Sequence, residues 1–204
     1  MPSAARTVVI VFTRAPVAGA VKTRLIPRLG AEGAAHLQRR LIRRALATAK
    51  AFGPVELHCT APHTWLRSLG IPLHRQRGRD LGERMHHALK RHRRAILIGA
   101  DAPDLRSADL ERALRWLQGG TDVVLAPAED GGYALVAARR TDARIFHGVH
   151  WGGADVLART LLNISKCGLR YRLLRTVWDV DRPADVARIR WLRSSSASRR
   201  AARR

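Results

Sequence analysis

Strand-like and helix-like segments alternate along the chain, and this alternation constrains the fold more than any other feature. Residues 8–12 form a continuous, mostly β-branched run, which is typical of a strand buried on both faces of a sheet. Residues 31–51 follow, with Leu37, Leu41 and Ala45 at helical spacing and most arginines off that stripe. This order predicts a central strand followed by an amphipathic helix that covers the sheet.

The same alternation continues along the sequence. The further predicted strands cover residues 55–59, 72–75, 95–98, 122–126 and 133–137. The further predicted helices cover residues 63–69, 81–93, 107–118 and 155–165, and a last one begins near Pro183 and buries Val186, Ile189 and Leu192. Ser107 is expected to cap its helix. Serial βα units predict a three-layer α/β/α fold with a mostly parallel sheet, in which ligands bind beyond the carboxyl ends of the strands.

The length of 204 residues fits a single domain, which we assign to residues 1–193. Residues 194–204 combine serine and arginine without a large apolar side chain, which predicts a disordered basic tail. No apolar run is long enough to span a membrane, and the first residues lack the pattern of a signal peptide, so a cytoplasmic protein is expected.

The formal net charge of +22 is the most unusual number in the composition. A charge of this size attracts nucleic acid and phosphorylated ligands. However, only four of the 38 cationic residues are lysines, and the arginines are spread along the whole chain. This distribution favours a general arginine bias, and a basic nucleic-acid-binding module remains as an alternative function from a different class.

Three cations, Arg14, Lys22 and Arg24, lie in the loop after the first predicted strand, together with Gly19 and Thr23. Backbone amides and cationic side chains in such a loop can surround phosphate oxygens. The loop matches neither the Walker pattern nor the dinucleotide glycine pattern. It predicts a phosphate-binding segment, with chance clustering in an arginine-rich chain as the alternative.

Carboxylates stand after the strand at 95–98 and again before the last helix. Asp101 is interpreted as a ligand for Mg²⁺ or Mn²⁺, because one or two carboxylates together with substrate phosphates can hold such an ion. Asp104 is interpreted as a cap or turn residue. Asp181 either caps the last helix or supplies a second carboxylate to the ion at Asp101. The second role requires the two strand ends to be neighbours.

The loop 127–133 and the histidines give weaker indications of function than the loops with cations and carboxylates do. Asp130, Gly131 and Gly132 form either an ordinary hairpin turn or a segment that a ligand approaches closely. Trp151 is the tryptophan best placed to line a pocket. The nine histidines show no ligand spacing, so a zinc site is not expected.

Taken in order, these loops resemble the bacterial glycosyltransferase-like proteins, also labelled radical-SAM/selenodomain-associated transferases and long catalogued as a domain of unknown function. The matching segments are 12–16, 19, 22–25, 76, 78, 80–85, 98–105, 127–133, Trp151 and 179–185. The resemblance spans about residues 7–192. The chain departs from the family at 152–153, where two glycines replace the more usual Ser-Thr after the tryptophan.

The resemblance implies the nucleotide-diphospho-sugar transferase (GT-A-like) fold, which 2-phospholactate guanylyltransferase and molybdopterin guanylyltransferase share. It implies a metal ion at Asp101, with Asp181 as a second contact. The implied nucleotide-binding residues are Arg14, Ala15, Pro16, Gly19, Lys22, Thr23, Arg24, Gly82 and Glu83. The implied acceptor-binding residues are Asp130, Gly131, Gly132, Tyr133 and Trp151.

The expected function is a Mg²⁺- or Mn²⁺-dependent transferase that uses an activated nucleotide and a small-molecule acceptor, with Lys22 and Asp101 as catalytic residues. Glycosyl transfer from a nucleotide sugar is favoured. Nucleotidyl transfer is the alternative, because Lys22 is a cation that could stand beside a leaving pyrophosphate.

Overall fold

A computed structural model describes residues 7–189 of the chain. The predicted tail at 194–204 and Leu192 lie outside the described residues. Seven strands form a single sheet in the order β3-β2-β1-β4-β6-β5-β7. The strands are Val8–Thr13 (β1), Val55–Cys59 (β2), Leu73–Arg75 (β3), Ala95–Gly99 (β4), Val123–Pro127 (β5), Tyr133–Ala138 (β6) and Tyr171–Leu173 (β7). All neighbours pair in parallel except β6, which runs antiparallel to β4 and β5.

Helices cover both faces of this sheet, as the alternation predicts. The α-helices are Ile26–Phe52 (α1), Thr64–Arg67 (α2), Leu81–Leu89 (α3), Ser107–Gln118 (α4), Val156–Lys166 (α5) and Pro183–Arg188 (α6). Short 3-10 helices lie at Thr23–Leu25 and Ala143–Phe146. No helix among residues 7–189 is long and apolar enough to cross a membrane.

The central strands are buried because they carry apolar side chains on both faces. Val9 and Val11 pack with α1 and α4, whereas Ile10 and Phe12 pack with α3 and α5. The predicted α/β fold with a mostly parallel sheet is therefore confirmed, and β6 is the exception to parallel pairing.

Three local predictions are wrong. Ser107 does not cap α4: it is the first helical residue, and the Asp109 carboxylate accepts a hydrogen bond from the backbone N–H of Arg106 at 3.0 Å instead. The helix predicted at 81–93 ends at Leu89, so His92 belongs to the turn that follows. The strand β7 was not predicted, since it has only three residues and all three are exposed.

The sheet topology brings the candidate loops together. Parallel strands β1, β4 and β5 end at the same edge of the sheet, and the antiparallel β6 begins there. The loops after β1, β4 and β5 therefore share one end of the molecule. The segment before α6 joins them, because the backbone N–H of Val180 donates to the Asp101 carbonyl at 2.9 Å.

Candidate active site

Two adjoining clefts open at this edge of the sheet. The larger, of about 600 Å³, contains four cations and is called the basic cleft. Its lining includes Arg14, Lys22, Thr23, Arg24, Gln76, Arg84, Asp101 and Asp181. The smaller, of about 300 Å³, contains three carboxylates and is called the acidic cleft. Its lining includes Asp101, Asp130, Gly132, Tyr133, Trp151 and Asp179.

Lys22 and Asp101 meet where the two clefts join. The Lys22 side chain is 6% exposed, and its Nζ lies 2.9 Å from Asp101 Oδ1 and donates to the Val180 carbonyl at 2.6 Å. Lys22 also has a left-handed backbone, with φ 51°, which few residues other than glycine adopt. A strained backbone conformation of this kind persists only where surrounding contacts hold it. At Lys22 these contacts keep the side-chain ammonium group beside the Asp101 carboxylate.

Asp181 lines the basic cleft but does not cap α6. Its carboxylate pairs with Arg24, and both side chains are largely exposed. Asp185 has the capping role, because its carboxylate accepts from the backbone N–H groups of Asp181 and Arg182, at 3.0 and 2.6 Å. Asp181 follows no strand, since it lies in the segment between β7 and α6, but it lines the same cleft as Asp101.

Asp179 is a site residue to which sequence reasoning assigned no role. Burial, followed by the nearby charges of Asp130 and Asp101, raises the pKa of its carboxyl to about 6. The lining of the acidic cleft contains three carboxylates and no lysine or arginine, and Lys22 of the basic cleft pairs with one of them, Asp101. The alternating acids at 179 and 181 were a usable signal, because both line the paired clefts.

The loop between β5 and β6 is a hairpin turn that also lines the acidic cleft. Asp130 Oδ1 accepts from the Gly132 backbone N–H at 2.9 Å, which stabilises the turn. Gly131 has φ +90°, and a Cβ built there would lie 2.1 Å from the Ala154 carbonyl oxygen. Only glycine therefore allows the turn to pack against the segment that carries Trp151.

Aromatic side chains form the wall of the acidic cleft. The rings of Tyr133 and Trp151 meet edge to face, with centroids 6.4 Å apart. Burial raises the pKa of the Tyr133 phenol, which therefore stays protonated. A Cβ at Gly82 would lie 2.7 Å from Trp151 Cζ2, so Gly82 makes room for the tryptophan ring.

Several predicted nucleotide-binding residues lie behind or beside the basic cleft. Ala15, Pro16 and Gly19 are absent from its lining, and Gly19 forms a turn with φ +80°. Glu83 also lies outside the lining and accepts three hydrogen bonds from Arg79, the shortest at 2.6 Å. These bonds lower the pKa of the Glu83 carboxyl to about 2.

Asp104 is neither a cap nor a cleft residue. Its carboxylate accepts from Arg175 Nη1 at 2.7 Å, and Asp109 shares the same guanidinium.

Gln76, by contrast, lines the basic cleft and donates from Nε2 to the backbone carbonyls of Thr13 and His58, at 3.2 and 3.0 Å.

The fold brings together histidines that spacing along the sequence does not connect. The side chains of Glu56, His58 and His74 place their ligand atoms within 4.8 Å of one another. His92 Nε2 lies 3.3 Å from the other oxygen of the same carboxylate, Glu56 Oε1, but outside the group whose ligand atoms lie within 4.8 Å of one another. Sequence spacing concealed this group, because its members come from two strands and a turn that follows α3.

Comparisons with known proteins give a family match and several similar solved structures. A family described as "Uncharacterized protein conserved in bacteria (DUF2064)" matches residues 34–153. No curated protein matches the chain in sequence. A candidate nucleotide-diphospho-sugar transferase from Desulfovibrio desulfuricans G20 is 30% identical, with a TM-score of 0.80 over 86% of this chain and 82% of that one.

More distant structures share the fold alone. CMP:2-keto-3-deoxy-manno-octonic acid synthetase in complex with CTP is 13% identical, with a TM-score of 0.61 over 94% of this chain and 99% of that one. Glucosyl-3-phosphoglycerate synthase from Mycobacterium tuberculosis, with Mn²⁺, UDP and its product, is 12% identical, with a TM-score of 0.53 over 89% and 75%.

The family match covers more than half of the chain, and the 30% identical structure has the same architecture. The chain thus belongs to the bacterial DUF2064 family and has the fold of the nucleotide-diphospho-sugar transferases and related nucleotidyltransferases.

Proposed function

We propose that this protein is a metal-dependent transferase that takes its donor group from an activated nucleotide. The observation that carries the proposal is the meeting of a basic cleft and an acidic cleft at the Lys22–Asp101 pair. Such a junction separates two binding tasks. The cations suit the phosphates of the donor, and the carboxylates and aromatic wall suit a hydroxylated group.

The acidic cleft fits a divalent cation. The carboxylates of Asp101, Asp130 and Asp179 share one small cleft, and burial, followed by the charges of Asp130 and Asp101, raises the pKa of Asp179. Oxygen ligands of this kind suit Mg²⁺ and Mn²⁺. When bound there, the ion would neutralise charge on the donor phosphates.

Asp101 is proposed as the first ligand, and the segment 179–181 as the source of the second. Asp181 keeps the role that the family resemblance implies, and its exposed pair with Arg24 costs little to release. Asp179 is a further candidate because it shares the acidic cleft with Asp101. Comparison of Asp179→Asn with Asp181→Asn separates the two, since loss of the true ligand weakens Mn²⁺ binding more.

The chain's own cations would hold the donor phosphates. Arg14, Lys22 and Arg24 line the basic cleft beyond β1, and Lys22 is the one fixed by burial and by two short contacts. Preorganised charge of this kind stabilises the negative charge that develops when a bond to phosphate breaks. Lys22 and Asp101 are therefore the proposed catalytic residues.

Glycosyl transfer is the favoured reaction. In it an acceptor oxygen attacks the sugar's anomeric carbon, the nucleoside diphosphate leaves, and a carboxylate accepts the acceptor's proton. Asp130 lines the acidic cleft beside Tyr133 and Trp151, where a sugar ring or acceptor would lie. The glycines at 152–153, which replace the more usual Ser-Thr, widen this side of the cleft.

Nucleotidyl transfer is the second candidate, and the position of Lys22 favours it. In that reaction an acceptor phosphate oxygen attacks the α-phosphorus and pyrophosphate leaves. A buried ammonium 2.9 Å from the proposed metal ligand Asp101 could neutralise the charge of a leaving pyrophosphate.

Thermal stabilisation by ligands tests the proposal and separates the two reactions. The protein is screened against nucleoside triphosphates and nucleotide sugars, with and without Mg²⁺ or Mn²⁺, because a ligand that binds the native state raises its Tm. Metal-dependent stabilisation by a nucleotide sugar supports glycosyl transfer. Metal-dependent stabilisation by a triphosphate alone supports nucleotidyl transfer.

Asp101→Asn is the key variant, and Asp104→Asn is its matched control. Both remove one charge from the same loop, but Asp104 pairs with Arg175 and lines neither cleft. We expect Asp101→Asn to abolish the metal-dependent part of the Tm rise and Asp104→Asn to retain it. A full metal-dependent rise in Asp101→Asn would show that the site is assigned wrongly.

A further inference from the structure

A histidine cluster on β2 and β3, beside the strand ends that form the basic cleft, is a second group of side chains that could bind a metal ion. It comprises Glu56 and His58 of β2, His74 of β3, and His92 from the turn after α3. In the parallel register, Glu56 faces Ile10 and His58 faces Phe12, so the cluster lies on the face of the sheet that α3 covers. None of its four residues lines the basic or the acidic cleft.

All three imidazoles converge on one carboxylate. The Nε2 atoms of His58 and His74 lie 3.0 and 3.7 Å from Glu56 Oε2, and His92 Nε2 lies 3.3 Å from Glu56 Oε1. Four ligands at the usual zinc distances around a tetrahedral ion are separated by about 3.4 Å. The three distances to the Glu56 oxygens lie near that value. The ligand atoms of Glu56, His58 and His74 lie within 4.8 Å of one another and His92 lies outside this group, so the imidazoles would have to close in around an ion.

The surroundings make these side chains poor candidates for an ordinary surface ion pair. The side chains of His58, Glu56 and His92 are 4%, 16% and 18% exposed. The Nε2 of His92 is buried and has no hydrogen-bond partner among residues 7–189. That nitrogen lies 3.3 Å from Glu56 Oε1 without forming a good hydrogen bond to it, and because buried polar atoms in native proteins are nearly always satisfied, a metal ion between the two groups would complete both.

We propose that Glu56, His58, His74 and His92 form a structural zinc site, separate from the clefts that we assign to the transferase. Three imidazoles and one carboxylate suit Zn²⁺, whereas Mg²⁺ prefers a set of oxygen ligands. Four protein ligands leave no open position for a substrate, which is typical of a structural site.

The ion would tie a weak edge of the sheet to the body of the molecule. The edge strand β3 has only three residues and pairs with β2 alone. Zinc bound by both strands and by His92 would fix β3 against the turn after α3. It would also support Gln76, which follows β3 and donates to the His58 carbonyl while lining the basic cleft.

Cobalt substitution tests this site directly. The full-length protein without a histidine tag is stripped with a chelator and titrated with Co²⁺ in excess Mg²⁺, which occupies oxygen-ligand sites. Four-coordinate Co²⁺ absorbs visible light far more strongly than the octahedral ion, so the spectrum reports the expected geometry. We expect one Co²⁺ per chain with intense absorption, displaced by Zn²⁺, and a Tm that rises with Zn²⁺.

Variants assign the signal to these residues. His74→Gln and His92→Gln should each weaken binding by more than about 100-fold, whereas His36→Gln, an exposed histidine on α1, should bind as the unaltered protein does. His74 is the most exposed member of the cluster, so its variant keeps the test valid if His92→Gln fails to fold. Circular dichroism checks the fold of each variant.

Three outcomes would overturn the proposal. They are a spectrum without intense absorption, unchanged binding in His74→Gln, and loss of the signal in Asp101→Asn. Loss of the signal in Asp101→Asn would place the ion in the clefts. If Asp101→Asn retains the signal, the zinc proposal holds regardless of the result of the transferase assay.

Discussion

Asp179 illustrates how a single residue can be placed unfavourably for stability and favourably for ligand binding. Its carboxyl pKa rises from 3.8 to about 6, first through burial and then through Asp130 and Asp101. The folded protein therefore binds a proton more tightly at this position than the unfolded chain does. Between these two pKa values stability falls as the pH rises, and above about pH 6 the full unfavourable contribution is present.

Replacement of Asp179 by asparagine should stabilise the metal-free protein at neutral pH. The shift corresponds to about 2 kcal/mol after a reduction for screening by water. We expect Asp179→Asn to raise the free energy of unfolding by up to that amount at about pH 7.5, and by much less near pH 4. Urea unfolding at the two pH values in a chelator measures the difference.

The control for this prediction is Asp104→Asn, whose carboxylate is already neutralised by Arg175. That variant should not gain stability at neutral pH. Addition of Mg²⁺ should narrow the gap between the unaltered protein and Asp179→Asn, because the ion balances the same charge. A lower stability of Asp179→Asn at about pH 7.5 would contradict the electrostatic explanation.

At the scale of elements, predictability followed burial. The strands β1, β4, β5 and β6 carry long apolar runs and could be predicted to within about two residues. The strand β7 has no such run, because Tyr171, Arg172 and Leu173 are all exposed. Its place in the sheet depends on pairing with β5 and on a buried carboxylate, neither of which leaves a periodic pattern in the sequence.

That carboxylate is Asp122, at the start of β5. It is 3% exposed, lies 2.7 Å from Arg139 Nη2, and accepts from the Arg170 backbone N–H at 3.0 Å. It thus links the ends of β6 and β7 to β5. We expect Asp122→Ala to lower the free energy of unfolding by about 3 kcal/mol, because a buried pair loses one partner.

The matched control is Asp142→Ala, which breaks an ion pair with Arg144 at the surface. Since water screens that pair, its loss should cost clearly less than the loss of Asp122. Urea unfolding compares the two variants, and hydrogen exchange of the β7 amides shows whether the damage is local. Equal losses in both variants would mean that Asp122 does not hold this edge.

The candidate site was predictable to the extent that it follows strand ends. The positions of Lys22, Asp101 and Asp130 beyond β1, β4 and β5 followed from topology. The ion pair of Asp181 with Arg24, the role of Asp179 and the gathering of three histidines on Glu56 did not. Each depends on which side chains meet across elements distant in sequence, and spacing within a segment carries no information about such contacts.

At the scale of the whole molecule, the net charge of +22 creates a field that attracts any polyanion. The field alone would produce nonspecific binding to duplex DNA, since cations spread over a surface displace the counterions of nucleic acid. The cleft is different, because Lys22 is nearly buried and its contacts with Asp101 are short. The two kinds of binding should therefore respond differently to salt.

We expect affinity for duplex DNA to fall steeply between roughly 50 and 200 mM salt, while metal-dependent nucleotide binding declines far less over the same range. Asp101→Asn should abolish the nucleotide binding and leave the DNA binding unchanged or stronger, because it removes a negative charge from the surface. Fluorescence anisotropy with a labelled duplex and with a labelled nucleotide measures both affinities. Steeply salt-dependent DNA binding without any metal-dependent nucleotide binding would instead favour the basic nucleic-acid-binding module, in which the transferase fold serves only as a charged scaffold.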